Sequence, residues 1–144
     1  MCLQVVGHLR RPDVLYEREL RDHGGEDLVK LGLKVESLDG DGVTLAMRHI
    51  QAQRRLTVPD SFALALAKQN RWTLLTGDGP LRELAKAEGV DCHGVLWLLD
   101  EFEAQGAATF VQLHGGLERI SAHPRCRLPR REIAIRLSRY AERL

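Results

Sequence analysis

Cysteine is scarce in this chain of 144 residues, and long apolar runs are missing. The three cysteines lie far apart and form no CxxC pair, which argues against a disulfide framework and against a zinc knuckle. The longest strictly apolar run, residues 62–67, has six residues, whereas a helix needs about 20 to cross a bilayer. Residues 1–6 form an apolar stretch that is too short for a signal peptide, and they lack a basic leader. We therefore expect a cytoplasmic protein without a membrane segment.

Several enzyme motifs are missing as well. The chain has no HExxH, GxSxG, Walker loop or GxGxxG, and its six histidines never pair at i, i+4. Trp72 and Trp97 both lie in apolar runs, which favours places in the core over platforms for base stacking. The chemistry must therefore be sought in other residues.

Composition and charge indicate an ordinary globular protein with an uneven charge distribution. Apolar residues make up 44% and charged residues 28%, so we predict a single domain over residues 1–144. Residues 12–41 hold nine acids and four bases, whereas residues 118–144 hold eight arginines and three glutamates. This asymmetry permits an acidic pocket and a phosphate-attracting surface. Two solvated faces are the simpler explanation if charge alone is considered.

Short apolar runs alternate with helical patterns along the chain. Strands are predicted at 33–38, 72–76 and 90–93, and helices at 13–23, 43–54, 57–70, 80–88, 95–105, 117–122 and 132–143. Residues 39–42, with two glycines, are predicted to form a turn. Such alternation is typical of βαβ units and a parallel sheet, in which ligands bind beyond the carboxyl ends of the strands.

Three carboxylates are candidates for chemistry at that edge of the sheet. Asp78 follows the predicted strand at 72–76, Asp60 lies in the first turn of a helix, and Glu19 lies on the first acidic helix. Two or three carboxylates at one strand edge make an oxygen-rich site for Mg²⁺ or Mn²⁺. Such an ion activates water and neutralises charge that develops on a phosphodiester.

Each acid also has an ordinary structural explanation. Thr57 and Asp60 have the spacing of a capping box, so Asp60 fits a helix N-terminus equally well. Asp78, in the sequence Gly-Asp-Gly-Pro, fits an N-cap or a turn. Glu19 fits a solvated helix face, since Glu17 and Asp22 are close by. Spacing alone therefore leaves metal binding as the minority hypothesis.

Four segments resemble the PIN domain. Residues 57–67, TVPDSFALALA, and 72–85, WTLLTGDGPLRELA, match the family's pattern of an Asp that opens a small-residue helix, followed by a strand ending in Thr-x-Asp. Residues 90–97 match the next strand and helix, and residues 12–20 are similar to the segment that places a Glu on the second helix. The resemblance covers about residues 9–106 and is closest to the small PIN proteins that include the VapC-type toxins. Residues 107–144 would then be a basic helical C-terminal extension.

The resemblance implies an α/β fold, a three-layer α/β/α sandwich with a parallel sheet. It implies a metal-dependent endoribonuclease that cleaves single-stranded RNA, the toxin of a toxin–antitoxin pair, with a small antitoxin as partner and a homodimer as assembly. The family's ligands to Mg²⁺ or Mn²⁺ fall on Asp60, Asp78 and Glu19, with Thr76 as the accompanying hydroxyl; Glu17 is the alternative to Glu19.

Arginines of the basic region are expected to contact the RNA backbone by virtue of their charge. We assign this role to four of them, Arg125, Arg127, Arg130 and Arg131.

The chain departs from the PIN pattern at its beginning. The family starts with a central strand that ends in an Asp, but no carboxylate precedes Asp13, and residues 1–6 are similar to the helix after that Asp. We expect the central first strand to be absent or replaced, and a site of three acids in place of four, which weakens cation affinity. Three explanations stay open: a start upstream of Met1, a truncated inactive relative, or residues 3–6 in place of the strand. The alternative function is a catalytically impaired PIN-like binding module without the complete metal site.

Overall fold

A mixed five-stranded sheet organises the first part of the chain. The structure is a computed structural model that describes residues 2–4, 8–30 and 32–144, with the side chains at 2–4, 8, 15, 19 and 20 outside that description. The strands are β1 (Cys2–Gln4), β2 (His8–Pro12), β3 (Lys34–Glu36), β4 (Thr73–Leu75) and β5 (Cys92–His93), in the order β3-β2-β1-β4-β5. β1 is antiparallel to β2 and β4, whereas β2 is parallel to β3 and β4 to β5. Four of the five strands therefore run in one direction.

The central place in the sheet belongs to β1. The prediction that the central first strand is absent or replaced is confirmed, since Cys2–Gln4 occupies that place and contains no acid. The helical expectation for residues 1–6 is wrong over residues 2–4, because β1 pairs with a strand on each side. The predicted parallel sheet is likewise corrected, since β1 runs against the other four strands. The α/β class of a PIN-like fold is confirmed.

The chain forms two compact units, Met1–Val95 and Leu96–Leu144. The first unit holds the sheet, α1 (Asp13–Leu15), a π-helical turn (Tyr16–Leu20), α2 (Gly25–Lys30), α3 (Gly40–Ala52), α4 (Val58–Asn70) and α5 (Gly79–Ala87). The second unit holds α7 (Phe110–Ala122), α8 (Arg130–Ala141) and all but the first residue of α6 (Val95–Ala104). No helix in the described residues has the length and apolar character needed to cross a bilayer. The single domain over 1–144 stays a prediction.

The core of the first unit is built around α4. This helix contacts β1, β2 and β4, and it buries Ala63, Leu64 and Ala67 against the sheet side of the unit. Leu74 of β4 and Leu81 of α5 complete the buried cluster. The two buried alanines let α4 pack closely within this cluster, which anchors the helix in the core of the unit.

Helix α3 begins earlier than the sequence pattern predicts. The turn predicted at 39–42 is wrong, because the Asp39 carboxylate accepts a hydrogen bond from Gly42 N at 2.7 Å and caps α3. Gly42 also lies against α4: a Cβ at this position would stand 2.6 Å from Gln69 Oε1. The glycine therefore serves close helix packing.

Helix α8 is joined to α6 in the second unit by two partly buried arginines. Arg136 donates two hydrogen bonds to the Asp100 carboxylate, at 2.9 Å from Nε and 2.5 Å from NH2, and a third to Glu132 at 3.0 Å. Arg139 contacts Asp100 at 2.9 Å and also pairs with Glu103. Partial burial disfavours charge on Asp100, but the hydrogen bonds from Arg136 and Arg139 outweigh it and lower the pKa of this carboxyl.

The lowered pKa of Asp100 predicts that the second unit loses stability in acid. A lowered folded-state pKa adds stability above the unfolded-state pKa of about 3.9, and that stability disappears as the pH falls through the folded-state pKa. Asp100→Asn should therefore lower the free energy of unfolding by about 1–2 kcal/mol at pH 7 and by almost nothing near pH 2. The figure at pH 7 is kept small because the Asp100 side chain is 37% exposed to solvent. Urea unfolding at both pH values measures this. The control Glu142→Gln, at an exposed acid of the same unit, should leave the free energy of unfolding unchanged at both pH values. The prediction would be contradicted if Asp100→Asn destabilised the protein equally in acid.

Candidate functional site

The carboxyl ends of four strands meet at one edge of the sheet. Since β2, β3, β4 and β5 run in one direction, the residues that follow them, Asp13, Ser37, Thr76 and Gly94, all lie at this edge. Ligands of parallel sheets bind beyond this edge. Asp78 follows β4 by three residues and thus belongs to it.

Asp60 lies in the first turn of α4, the helix that precedes β4. Only Arg71 and Trp72 separate α4 from β4, and Arg71 has the left-handed backbone (φ 56°) that reverses a chain at a helix end. The 13 residues of α4 span about 20 Å. Of the residues that follow, only Thr73–Leu75 form a strand, and Asp78 N then donates a hydrogen bond back to Thr76 Oγ1. From the chain reversal at Arg71 we infer that α4 begins toward the edge at which β4 ends.

The Asp60 carboxylate is held by the N-cap of its helix. Thr57 caps α4, accepting a hydrogen bond from Asp60 N at 3.3 Å and donating its hydroxyl to Asp60 Oδ2 at 2.8 Å. Asp60 is half-buried. The predicted cap is thus present through Thr57, but the capping box is not complete, because the Asp60 carboxylate accepts from the Thr57 hydroxyl and not from the Thr57 backbone N–H. Oδ1 accepts no hydrogen bond from any residue that the structure describes.

Asp78 also caps a helix. Its Oδ2 accepts a hydrogen bond from Leu81 N at 3.0 Å at the start of α5, and its backbone N donates to Thr76 Oγ1 at 3.1 Å. The N-cap interpretation of Asp78 is therefore correct, and Thr76 supports the loop that carries this acid. Asp78 is exposed, and within the described part of the chain its Oδ1 has no hydrogen-bond donor. Each aspartate thus has one carboxylate oxygen that accepts no hydrogen bond from the described residues.

The third predicted acid lies in the π-helical turn Tyr16–Leu20. The side chain of Glu19 is outside the described residues. Its alternative, Glu17, is exposed and accepts a hydrogen bond from Arg21 NH1 at 2.8 Å. π-Helical turns are rare and are frequent at functional sites, so the backbone here is consistent with a special role.

The described residues do not by themselves fit a bound divalent cation. Asp60 and Asp78 offer the carboxylate oxygens that Mg²⁺ and Mn²⁺ prefer. However, no three His, Cys, Asp or Glu side chains among residues 2–4, 8–30 and 32–144, as far as these are described, group closely enough to hold a metal ion. Two carboxylates are fewer than the three that the family resemblance implies, and the side chain of the third, Glu19, lies outside the described residues.

Asp13 is an edge carboxylate that the sequence pattern did not single out. Its Oδ2 accepts a hydrogen bond from Ser37 Oγ at 2.9 Å, and its Oδ1 accepts one from Val14 N at 2.7 Å. The residue therefore ties the end of β2 to the end of β3, with both oxygens engaged. Asp13 stands at the sheet edge only because it follows β2. The sequence of that strand, HLRRP, is polar and carries no strand pattern, so the sequence did not predict the strand.

The basic region divides into paired and unpaired arginines. Arg136 and Arg139 are taken up by Asp100, Glu103 and Glu132. The four arginines predicted to contact RNA are all exposed, and none of them takes part in an ion pair among the described residues; these are Arg125, Arg127, Arg130 and Arg131. They belong to the second unit, whereas Asp60 and Asp78 belong to the first.

Comparison with known proteins identifies one family. The family model DUF3368, described as a PIN domain, matches residues 12–142. The predicted PIN resemblance is thereby confirmed, and the matched region extends past residue 106 into the basic helices. No curated protein and no solved structure matches the chain significantly.

Proposed function

Because the chain belongs to the PIN domain family, whose fold is of the nuclease type, we propose that it is an endoribonuclease that cleaves single-stranded RNA with Mg²⁺ or Mn²⁺. The feature that supports this proposal is the placement of Asp78 after β4, at the carboxyl edge of the sheet, with Asp60 in the first turn of the helix that precedes β4. Among the described residues, neither aspartate Oδ1 accepts a hydrogen bond. Asp60, Asp78 and Glu19 are the proposed ligands of the ion.

The chain's own residues would orient this site before RNA arrives. The Thr57 hydroxyl donates one hydrogen bond to the Asp60 side chain and accepts a second from Asp60 N. Leu81 N and Thr76 fix Asp78 and the loop before α5. Preoriented carboxylates lose less conformational freedom when they engage a ligand, which favours binding.

The cellular role that we propose is that of a cytoplasmic VapC-type toxin. In this proposal the protein is a homodimer that a small antitoxin protein neutralises, and no membrane is involved. The support is the PIN match together with the segments at 57–67 and 72–85 that resemble the toxin branch of the family.

A catalytically impaired binding module is the second candidate. Two observations favour it: the central strand β1 contains no acid, and the described side chains form no group of three ligands. Such a protein would keep the PIN fold and bind RNA or a partner without cutting.

A cleavage assay separates the two candidates. Purified protein is incubated with end-labelled single-stranded RNA of mixed sequence in Mg²⁺, in Mn²⁺ or in EDTA, and Mn²⁺ binding is followed by calorimetry. The nuclease proposal expects shorter RNA with either ion and intact RNA in EDTA. Intact RNA in all three buffers, with no Mn²⁺ binding up to millimolar concentration, would support the binding module. Equal cleavage in EDTA would contradict the metal requirement.

A further inference from the structure

We propose that residues 125–131, the arginine segment between α7 and α8, bind the phosphates of single-stranded RNA. The choice of RNA as ligand rests on the proposed function. The site itself rests on the structure of the second unit, which contains none of the proposed metal ligands.

The arginine segment packs its apolar side chains against the protein and leaves its arginines exposed. Cys126 and Leu128 pack, partly buried, against the core of the second unit, whereas Arg125 and Arg127 between and beside them are exposed. Hydrogen bonds from Cys126 N to His123 O at 2.9 Å and from Arg125 N to His123 Nδ1 at 3.1 Å fix the start of the segment. Cys126 and Leu128 therefore anchor the backbone to the core, while Arg125 and Arg127 remain exposed to solvent.

These guanidinium groups are not neutralised by nearby carboxylates. The sequence contains no acid between Glu118 and Glu132, and Glu132 pairs with Arg136. Arg139 likewise turns to Asp100 and Glu103. Arg136 and Arg139 thus pair with Asp100, Glu103 and Glu132, whereas no ion pair among the described residues compensates the four charges of the arginine segment.

The start of α8 adds to the positive potential. Pro129 occupies the N-cap position and provides no side-chain cap, so the first N–H groups of α8 lack the usual acceptor. Arg130 and Arg131 flank this positive end of the helix dipole. Backbone N–H groups and two guanidinium groups together suit a phosphate oxygen.

The chemistry of the arginine segment fits a nucleic-acid backbone better than a bilayer. Guanidinium groups bind phosphate in a bidentate manner and interact with any sequence. A membrane-binding segment needs apolar side chains that enter the lipid, but Cys126 and Leu128 are turned into the protein core. A single strand leaves its phosphates accessible to these exposed arginines.

Salt-dependent binding tests the proposal without relying on cleavage. Binding of a fluorescent U12 oligonucleotide is measured by anisotropy in EDTA between 50 and 200 mM KCl. The test variant is R125Q/R127Q/R130Q/R131Q, and the matched control, K34Q/R48Q/R54Q/R55Q, removes the same four charges from exposed positions of the first unit.

The RNA affinities of the wild type and of the control are expected to fall equally steeply as the KCl concentration rises. Four phosphate contacts contribute about 0.7 each to the slope of log K against log [KCl], so the test variant should be less steep by about 3. Between 50 and 200 mM KCl the wild type should lose about 50-fold more affinity than the test variant. Melting curves verify that all three proteins are folded.

The outcomes separate this inference from the enzymatic proposal. RNA binding that is lost only in the test variant supports the arginine segment, even if no cleavage is ever detected. An equal loss in both variants, or no binding by the wild type, would overturn it. So would a wild type that prefers anionic vesicles or an acidic peptide over U12.

Discussion

Asp60→Asn is expected to lower RNA cleavage by at least about 100-fold while leaving the fold intact. Asparagine keeps the size of the side chain and can still accept the Thr57 hydroxyl hydrogen bond, now 2.8 Å long. It removes the negative charge, however, and cation affinity depends on the number and charge of the oxygen ligands. The measurements are the cleavage rate in Mg²⁺, the affinity for Mn²⁺ by calorimetry, and the melting temperature, which should change by only a few degrees.

The matched control for this variant is Asp27→Asn. Asp27 is the third residue of α2, as Asp60 is the third residue of α4, and it is exposed beside Lys30. The same chemical change at the same helical position should alter cleavage by less than about twofold, because surface ion pairs contribute little. Undiminished cleavage by Asp60→Asn would remove this residue from the site, and an equal loss in both variants would point to a general charge effect.

Leu64→Ala is expected to destabilise the first unit by about 3 kcal/mol. Leu64 is 0% exposed at the centre of α4, and its truncation loses apolar burial and leaves a cavity between helix and sheet. Because α4 also carries Asp60, this loss should lower the temperature at which any cleavage activity disappears. The free energy of unfolding is measured by urea denaturation in a Trp97→Phe background. Fluorescence then reports Trp72, which packs on the same core.

The control for the core prediction is the same substitution at a surface position. Leu28 in α2 is 41% exposed, so Leu28→Ala should cost less than about 1 kcal/mol. Similar losses at positions 28 and 64 would show that α4 does not form the central packing of the unit.

Local signals were sufficient where several of them agreed. The predicted helix at 57–70 is α4, Val58–Asn70, since a Thr cap, a proline in the first turn and a run of small apolar residues all favour it. The strand before Thr76 and the helix after Asp78 were likewise found within two residues of their ends. In contrast, α7 begins at Phe110, seven residues before the predicted start, because Thr109 and Gln112 form a reciprocal capping box that the prediction overlooked.

Long-range pairing accounts for most of what the sequence pattern missed. β1 and β2 are short and carry no apolar alternation, so only their partners in the sheet make them strands. Gly40 and Gly42 are typical of turns, yet the Asp39 cap and the contact with Gln69 place them in α3.

The sequence by itself was enough to predict the PIN family, helix α4 with Asp60, and the segment that carries Thr76 and Asp78. These features depend on residues within a few positions of one another. The tertiary structure alone decided that β1 lies antiparallel at the centre of the sheet. It also decided which arginines are neutralised, since Asp100 and Arg136 are 36 residues apart. Which groups meet across such distances is set by how the helices pack.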